Sequence, residues 1–222
     1  MSAIVFLRNS VLIVVLLFVA IQFKPTNQVQ GLPYYNTPEF SPMFLSSRAD
    51  VESKITHTIG RFTFVNQDGD TLTEKAIKGK IHVADFIFTS CGNICPMMTD
   101  QMGRIGKAFE NDTSVVILSY TVTPWIDNPA RLKKYKADKG IKKNNWYFLT
   151  GNKAAIYKLA RQSYFAEESL GFTKDSTKFL HTEHFLLVDA TQRIRGIYNG
   201  TLQLEAEQLI KDIKELKRER LD

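Results

Sequence analysis

Sulfur is scarce in this 222-residue chain: Cys91 and Cys95 are its only thiols. Two cysteines allow at most one structural disulfide, and they fall short of the four protein ligands that a closed structural zinc site takes. Charge of one sign is not concentrated either. The formal net charge is +6, but the 29 Lys and Arg residues are spread along the chain and gather only at Lys214 to Arg220, on an expected surface helix. No nucleic-acid footprint is formed. Internal repeats are absent, which sets aside repeat architectures. An apolar fraction of 44% with 23% charged residues suits one soluble core plus one hydrophobic segment.

That segment is at the N-terminus. Ala3 to Phe23 is almost entirely Val, Ile, Leu, Phe and Ala, broken by Arg8-Asn9-Ser10 and Gln22, and a bilayer core is spanned by about 20 helical residues. Its uninterrupted part, Val11 to Ile21, is short enough for the apolar region of a signal peptide. Val19-Ala20-Ile21-Gln22-Phe23 then puts large residues where a peptidase needs small ones. Residues 1–24 are therefore expected to be an uncleaved transmembrane anchor, with a signal peptide as the alternative. Arg8 and Lys24 flank the run with one charge each and decide little about orientation. A short N-terminus ahead of a long soluble body fits export of that body to a periplasmic or equivalent side. In such a compartment two thiols pair unless a reductant or a metal keeps them apart.

Residues 25–54 are expected as an extended tether, because Pro25 to Met43 is rich in Pro, Asn, Thr and Tyr with no steady period. Tyr34, Tyr35 and Phe40 in this stretch are expected to pack on the domain. Residues 55–222 read as that domain. Arg61 to Val65 alternates, Asn66-Gln67-Asp68-Gly69 is turn chemistry and Thr71 to Thr73 returns, giving a hairpin. Strands follow at 81–88, 114–121 and 146–149, interleaved with helices at 96–109, 129–139 and 152–162. A loop is expected at 172–180, then a hairpin of 183–189 with 193–198, and a closing helix at 205–218 with Leu209, Ile210, Ile213 and Leu216 on one face. Strands alternating with helices and closing with a hairpin and helix describe an α/β, thioredoxin-like domain with an N-terminal β-hairpin extension.

The chemistry concentrates in Phe86-Ile87-Phe88-Thr89-Ser90-Cys91-Gly92-Asn93-Ile94-Cys95-Pro96. Pro96 suits a first helical position, so both thiols belong to a strand-to-helix turn, where free amide groups and the helix dipole favour thiolate. A thioredoxin-type redox pair has two residues between its cysteines; here there are three. The longer loop lets both sulfurs chelate one ion from the same side and still form a disulfide after modest adjustment. Two thiolates are a soft donor set suited to Cu(I), and also to zinc, and they want a further ligand. Of His57, His82, His181 and His184, His181 is the best third donor, because the start of the late strand faces the cysteine turn in such a sheet. His184 would point to the opposite face. His82 reads as a strand residue and His57 as part of the tether. Met97 and Met98 are expected to pack in the helical core.

The ordered motifs resemble the Sco/SenC family of membrane-anchored, thioredoxin-like copper proteins that assemble cytochrome c oxidase. They are Phe88-Thr89-Ser90-Cys91-x-x-x-Cys95-Pro96-Met97, then Thr121-Val122-Thr123-Pro124 with Asp127 and Pro129, then Trp146 with Leu149-Thr150-Gly151, and His181-Thr182 ahead of Val188-Asp189. The resemblance spans about Ile55 to Leu209 and implies copper ligation by Cys91, Cys95 and His181. Two departures stand out. Many members carry an aspartate where this chain has Thr123, and no proline precedes the late strand, unlike a general disulfide reductase. The implied function is a copper metallochaperone that binds Cu(I), with Cu(II) also possible, and passes it to the copper-site subunit of cytochrome c oxidase. A thiol reductant or another copper carrier would be a further partner. The rival is a thiol-disulfide oxidoreductase keeping oxidase cysteines reduced, with Cys91 attacking and Cys95 resolving. A lone structural disulfide is the third reading.

Overall fold

A computed structural model describes residues 31–142, 145–166 and 182–219. The apolar N-terminal segment, the expected loop at 172–180 and His181 lie outside the described residues. Among the described residues no helix is long and apolar enough to cross a membrane. The chain runs through β1 (Tyr34–Tyr35), β2 (Pro42–Met43), α1 (Arg48–Lys54), β3 (Thr63–Asn66) and β4 (Thr71–Thr73). It continues with β5 (Ile81–Ile87), α2 (Ile94–Ala108), β6 (Val115–Thr121), α3 (Pro129–Asp138), β7 (Trp146–Thr150) and α4 (Lys153–Gln162). The last elements are β8 (His184–Val188), β9 (Ile194–Asn199) and α5 (Gln203–Leu216).

The nine strands among the described residues form one sheet in the order β2-β1-β9-β8-β5-β6-β7-β3-β4. β5, β6 and β7 are parallel, β8 is antiparallel to β5, and β9 is antiparallel to β8. With helices on both faces this is the thioredoxin-like α/β architecture expected from the alternation of elements, and hairpin β3–β4 extends it beyond β7. The central strands β5 and β6 are buried at every residue, which is why their sequences run apolar rather than alternating. On one face Val83, Ile87 and Ile117 meet Met98, Met102 and Ile105 of α2, Leu132 of α3, and Leu209 and Ile213 of α5. On the other, Ala84, Phe86, Leu118 and Tyr120 meet Ile156, Tyr157 and Ala160 of α4.

Local signals set the joints. The Asn66 side chain accepts from the N–H groups of Asp68 and Asp70 and Gly69 adopts φ +89°, closing the β3–β4 turn. Asn128 and Asn152 cap α3 and α4, each accepting from a first-turn N–H, and Pro129 sits at the start of α3. Tyr34 is buried, Tyr35 pairs with Ile194, and the Tyr35 and Phe40 rings meet edge to face.

Two details differ from the sequence reading. Arg48–Lys54 is helical, not extended, capped by Ser47; with Val51 as its one buried residue it displays no apolar period. Helix α2 begins at Ile94, so Pro96 is its third residue. First-turn amides have no intrahelical acceptor, so proline is tolerated there as it is at the first position.

Candidate metal centre

β5 delivers the chain to a short turn, and α2 starts immediately behind it. The Cys91 N–H donates to the Phe88 carbonyl at 3.2 Å, and the Cys95 N–H, in the first turn of α2, donates to the Cys91 sulfur at 3.4 Å. Both cysteines are free, Cys91 half-buried and Cys95 buried. The fold therefore brings the two predicted sulfurs to one helix N-terminus. They are not equivalent. Burial pushes the Cys91 thiol up, but amide donors at Cys95, Asn93 and Ile94, with the Cys95 thiol, outweigh it and hold Cys91 below its ordinary value. Burial pushes Cys95 up to about 12, and the nearby Cys91 and Asp85 add to that, against relief from the backbone at Phe88. Cys91 is thus the more easily ionised of the two sulfurs, and Cys95 ionises when something positive replaces its proton.

The turn is fastened from the β6–α3 side. Asp127, whose side chain has no exposed surface, accepts from Thr89 N–H (3.2 Å), Thr89 Oγ1 (2.5 Å), Thr121 Oγ1 (2.6 Å) and Thr123 Oγ1 (2.9 Å). Arg131 stands one turn along α3, with Nε 3.3 Å from Asp127 Oδ1, and donates to Thr89 Oγ1 (2.7 Å) and Ser90 Oγ (2.8 Å). The sequence reading retained Asp127 as a motif residue but missed this role and missed Arg131. Their i, i+4 spacing at a helix start was the available signal.

A second buried carboxylate, Asp85, shares the strand face of Val83 and Ile87 that α2 covers. Neither of its oxygens makes a hydrogen bond of good geometry. Burial pushes it up to about 7, the Ser119 hydroxyl relieving it in part. That hydroxyl accepts from Trp146 Nε1 at 2.9 Å, and Thr99 of α2 donates to the Cys95 carbonyl.

Among the described residues no group of three or more His, Cys, Asp or Glu side chains is arranged to hold a metal. The antiparallel register of β8 on β5 (Ala84 opposite Leu186) carries the stretch that follows His181 back toward the end of β5 from which the cysteine turn departs. His184 shares a strand face with Leu186 and Val188, of the cluster facing α4, and its Nδ1 lies 3.2 Å from Thr182 Oγ1. His82 is fully buried against the Tyr164 hydroxyl, and His57 bonds the Ser163 carbonyl while stacking on Phe165. Met98 is in the core as expected, but Met97 is 47% exposed. One residue is a 100° step on a helix, enough to leave the face shared by Met98, Met102 and Ile105. Trp125 and Ile126, also exposed, stand in the Thr123–Asp127 loop beside the cysteine turn.

The SCO1/SenC family model matches residues 51–218. The chain belongs to the SCO1/SenC family. Solved structures agree with that membership. A SCO1/SenC family lipoprotein from Bacillus anthracis is 31% identical, with a TM-score of 0.63 over 73% of this chain and 96% of that one. BsSco, a Sco-family cytochrome c oxidase assembly protein in which a disulfide switch was identified, is 32% identical, with a TM-score of 0.62 over 74% and 95%. Bradyrhizobium japonicum ScoI, solved with copper bound, is 26% identical, with a TM-score of 0.57 over 72% and 99%. In this SCO1/SenC chain the Thr123 hydroxyl is one of the donors that satisfy Asp127.

Proposed function

We propose that this chain carries copper on Cys91, Cys95 and His181 and hands it to a copper site of cytochrome c oxidase. The observation that carries the reading is the pair of free sulfurs at the N-terminus of α2, one with its thiol held low and the other buried. Soft thiolates at a helix end suit Cu(I), and an imidazole is a fitting third donor. Copper bound to ScoI, and the oxidase-assembly role of BsSco, support the choice of cargo and destination. Binding displaces the thiol protons, so loading weakens as pH falls and stops when the sulfurs are joined in a disulfide. Release proceeds by ligand exchange: a partner thiolate or imidazole approaches the half-exposed Cys91 side while buried Cys95 still holds the ion.

The apolar run from Ala3 to Phe23 would hold the domain on the exported face of a membrane, which raises encounters with a membrane-bound acceptor without adding contacts. Anaerobic Cu(I) titration of the reduced chain tests the reading. Cys91→Ser and Cys95→Ser are expected to abolish stoichiometric binding, and His181→Ala to weaken it. Parent-like copper binding in all three variants would remove the site. Unchanged thiol-disulfide exchange in His181→Ala, with copper binding also unchanged, would point to the oxidoreductase instead.

A further inference from the structure

The cysteine turn is tied down by side chains on the side that precedes Cys91. Thr89 and Ser90, just before Cys91, are tied to α3 and the β6–α3 loop, whereas Gly92, just after it, has no heavy atom within 4 Å of the space a Cβ would take. Behind Cys91 the Cys95 N–H donates to its sulfur, so the sulfur is set from the Thr89–Ser90 side as well as from the start of α2. We infer that Arg131, seated on Asp127, is a positioning residue for the copper site: it locks Thr89 and Ser90 and through them aims Cys91.

This rests on the copper reading above. Asp127 is completely buried and gathers the turn and the β6–α3 loop onto one carboxylate. Arg131 extends that hub outward. Its Nε is within reach of both Asp127 Oδ1 and Thr89 Oγ1, and a second guanidinium nitrogen reaches Ser90 Oγ, so one planar group touches three residues at once. An ammonium of the same charge cannot hold that fork. The Arg131 side chain is 46% exposed, so changing it leaves the core intact. Groups that orient metal ligands typically change affinity by about 10–100-fold when removed.

The test uses the full reduced chain, its Arg131→Gln and Arg131→Lys variants, and Cys91→Ser as the control for the site itself. Cu(I) affinity is measured by competition with a chromophoric chelator, and the sulfur-to-Cu(II) charge-transfer spectrum is recorded alongside. Amide exchange across 89–95 is followed in the metal-free protein. Arg131→Gln is expected to weaken Cu(I) about tenfold, to shift the charge-transfer band and to speed exchange across 89–95 while β5 and β6 stay protected. Arg131→Lys is expected to recover little of the loss. Parent-like affinity and spectrum in Arg131→Gln would overturn the inference, as would full recovery by lysine, which would show that charge rather than the fork matters. Undiminished copper binding by Cys91→Ser would remove the copper reading itself, whatever Arg131 does.

Discussion

The two ends of the central sheet bury charge in opposite styles. At the end remote from the cysteines, the Arg195 guanidinium is 1% exposed and lies 3.8 Å over the Tyr34 ring. It donates twice to Glu219 at 2.6 Å, to Asp189 at 3.3 Å, and to the carbonyls of Leu32 and Pro33. The contacts to Glu219, Leu32 and Pro33 join segments far apart in sequence, and no N–H of the guanidinium is left open. At the cysteine end Asp127 is equally well satisfied, but Asp85 is buried without a good hydrogen bond and two thiols remain unjoined. One end is a staple; the other keeps reactive groups unpaired within a rigid frame. Asp85 and the two thiols are thus left incompletely satisfied where metal exchange is proposed, and the frame around them is what stabilises the arrangement.

The largest test of this contrast is to break the staple. Arg195→Ala leaves Glu219 and Asp189 without their buried partner, a change that typically costs about 3–5 kcal/mol. Urea unfolding of the metal-free protein is expected to show that loss, while copper stoichiometry per folded molecule stays at the parent value. A fall in copper binding matched by no loss of stability would merge the two ends and undo the comparison.

A smaller effect comes from strand β5, which runs from one end toward the other and carries two misfit groups. Burial holds His82 down at about 3 against an ordinary 6.5, and burial raises Asp85 from 3.8 to about 7. For His82 the unfolded chain binds the extra proton, so its contribution is complete above 6.5 and is lost as pH falls toward 3. For Asp85 the folded chain binds the extra proton, so its contribution is complete below 3.8 and is lost as pH rises through about 7. Between those limits the two slopes oppose each other. Asp85→Asn should therefore make stability fall with acidification by about 1.4 kcal/mol per pH unit more steeply than in the parent. His82→Gln should tilt the curve the other way. Urea unfolding across pH 4 to about 6.5 reads both, and identical slopes in parent and variants would show that neither group titrates differently on folding.

Much of the frame was readable from residue order, because long apolar periods and Asn caps are local signals. The hairpin, the parallel strands and α4 fall where turn chemistry and caps put them. What escaped was non-local. Arg195 on an alternating strand reads as a solvent-facing position, and only the return of α5 past its end supplies Glu219. Asp127 is visible as a residue, but its donors come from Thr89, Thr121 and Thr123, and 38 positions separate the first from it. The cysteine pair was legible in type and spacing. Its asymmetry was not, because Cys95 owes its high thiol to burial under the sheet.

The smallest expected change in stability separates the two tryptophans. Trp146 is buried, stacked on Phe148 and bonded to Ser119, whereas Trp125 is 58% exposed in the loop that also carries Asp127. Lys153 lies 4.9 Å over the Trp125 ring. Trp125→Ser removes no core contact, so stability should stay within about 0.5 kcal/mol of the parent. Copper affinity should also hold, since none of the hydrogen bonds to Asp127 comes from Trp125. The rate of copper transfer to a soluble oxidase copper-site domain is where the difference is expected, because an exposed aromatic beside a metal loop is a contact that a partner can bury. Transfer is followed by the absorbance of the acceptor, with Cu(I) affinity measured in parallel. Equal transfer rates in parent and variant would confine the working surface to the turn itself, while a slower rate at unchanged affinity would extend it across the β6–α3 loop.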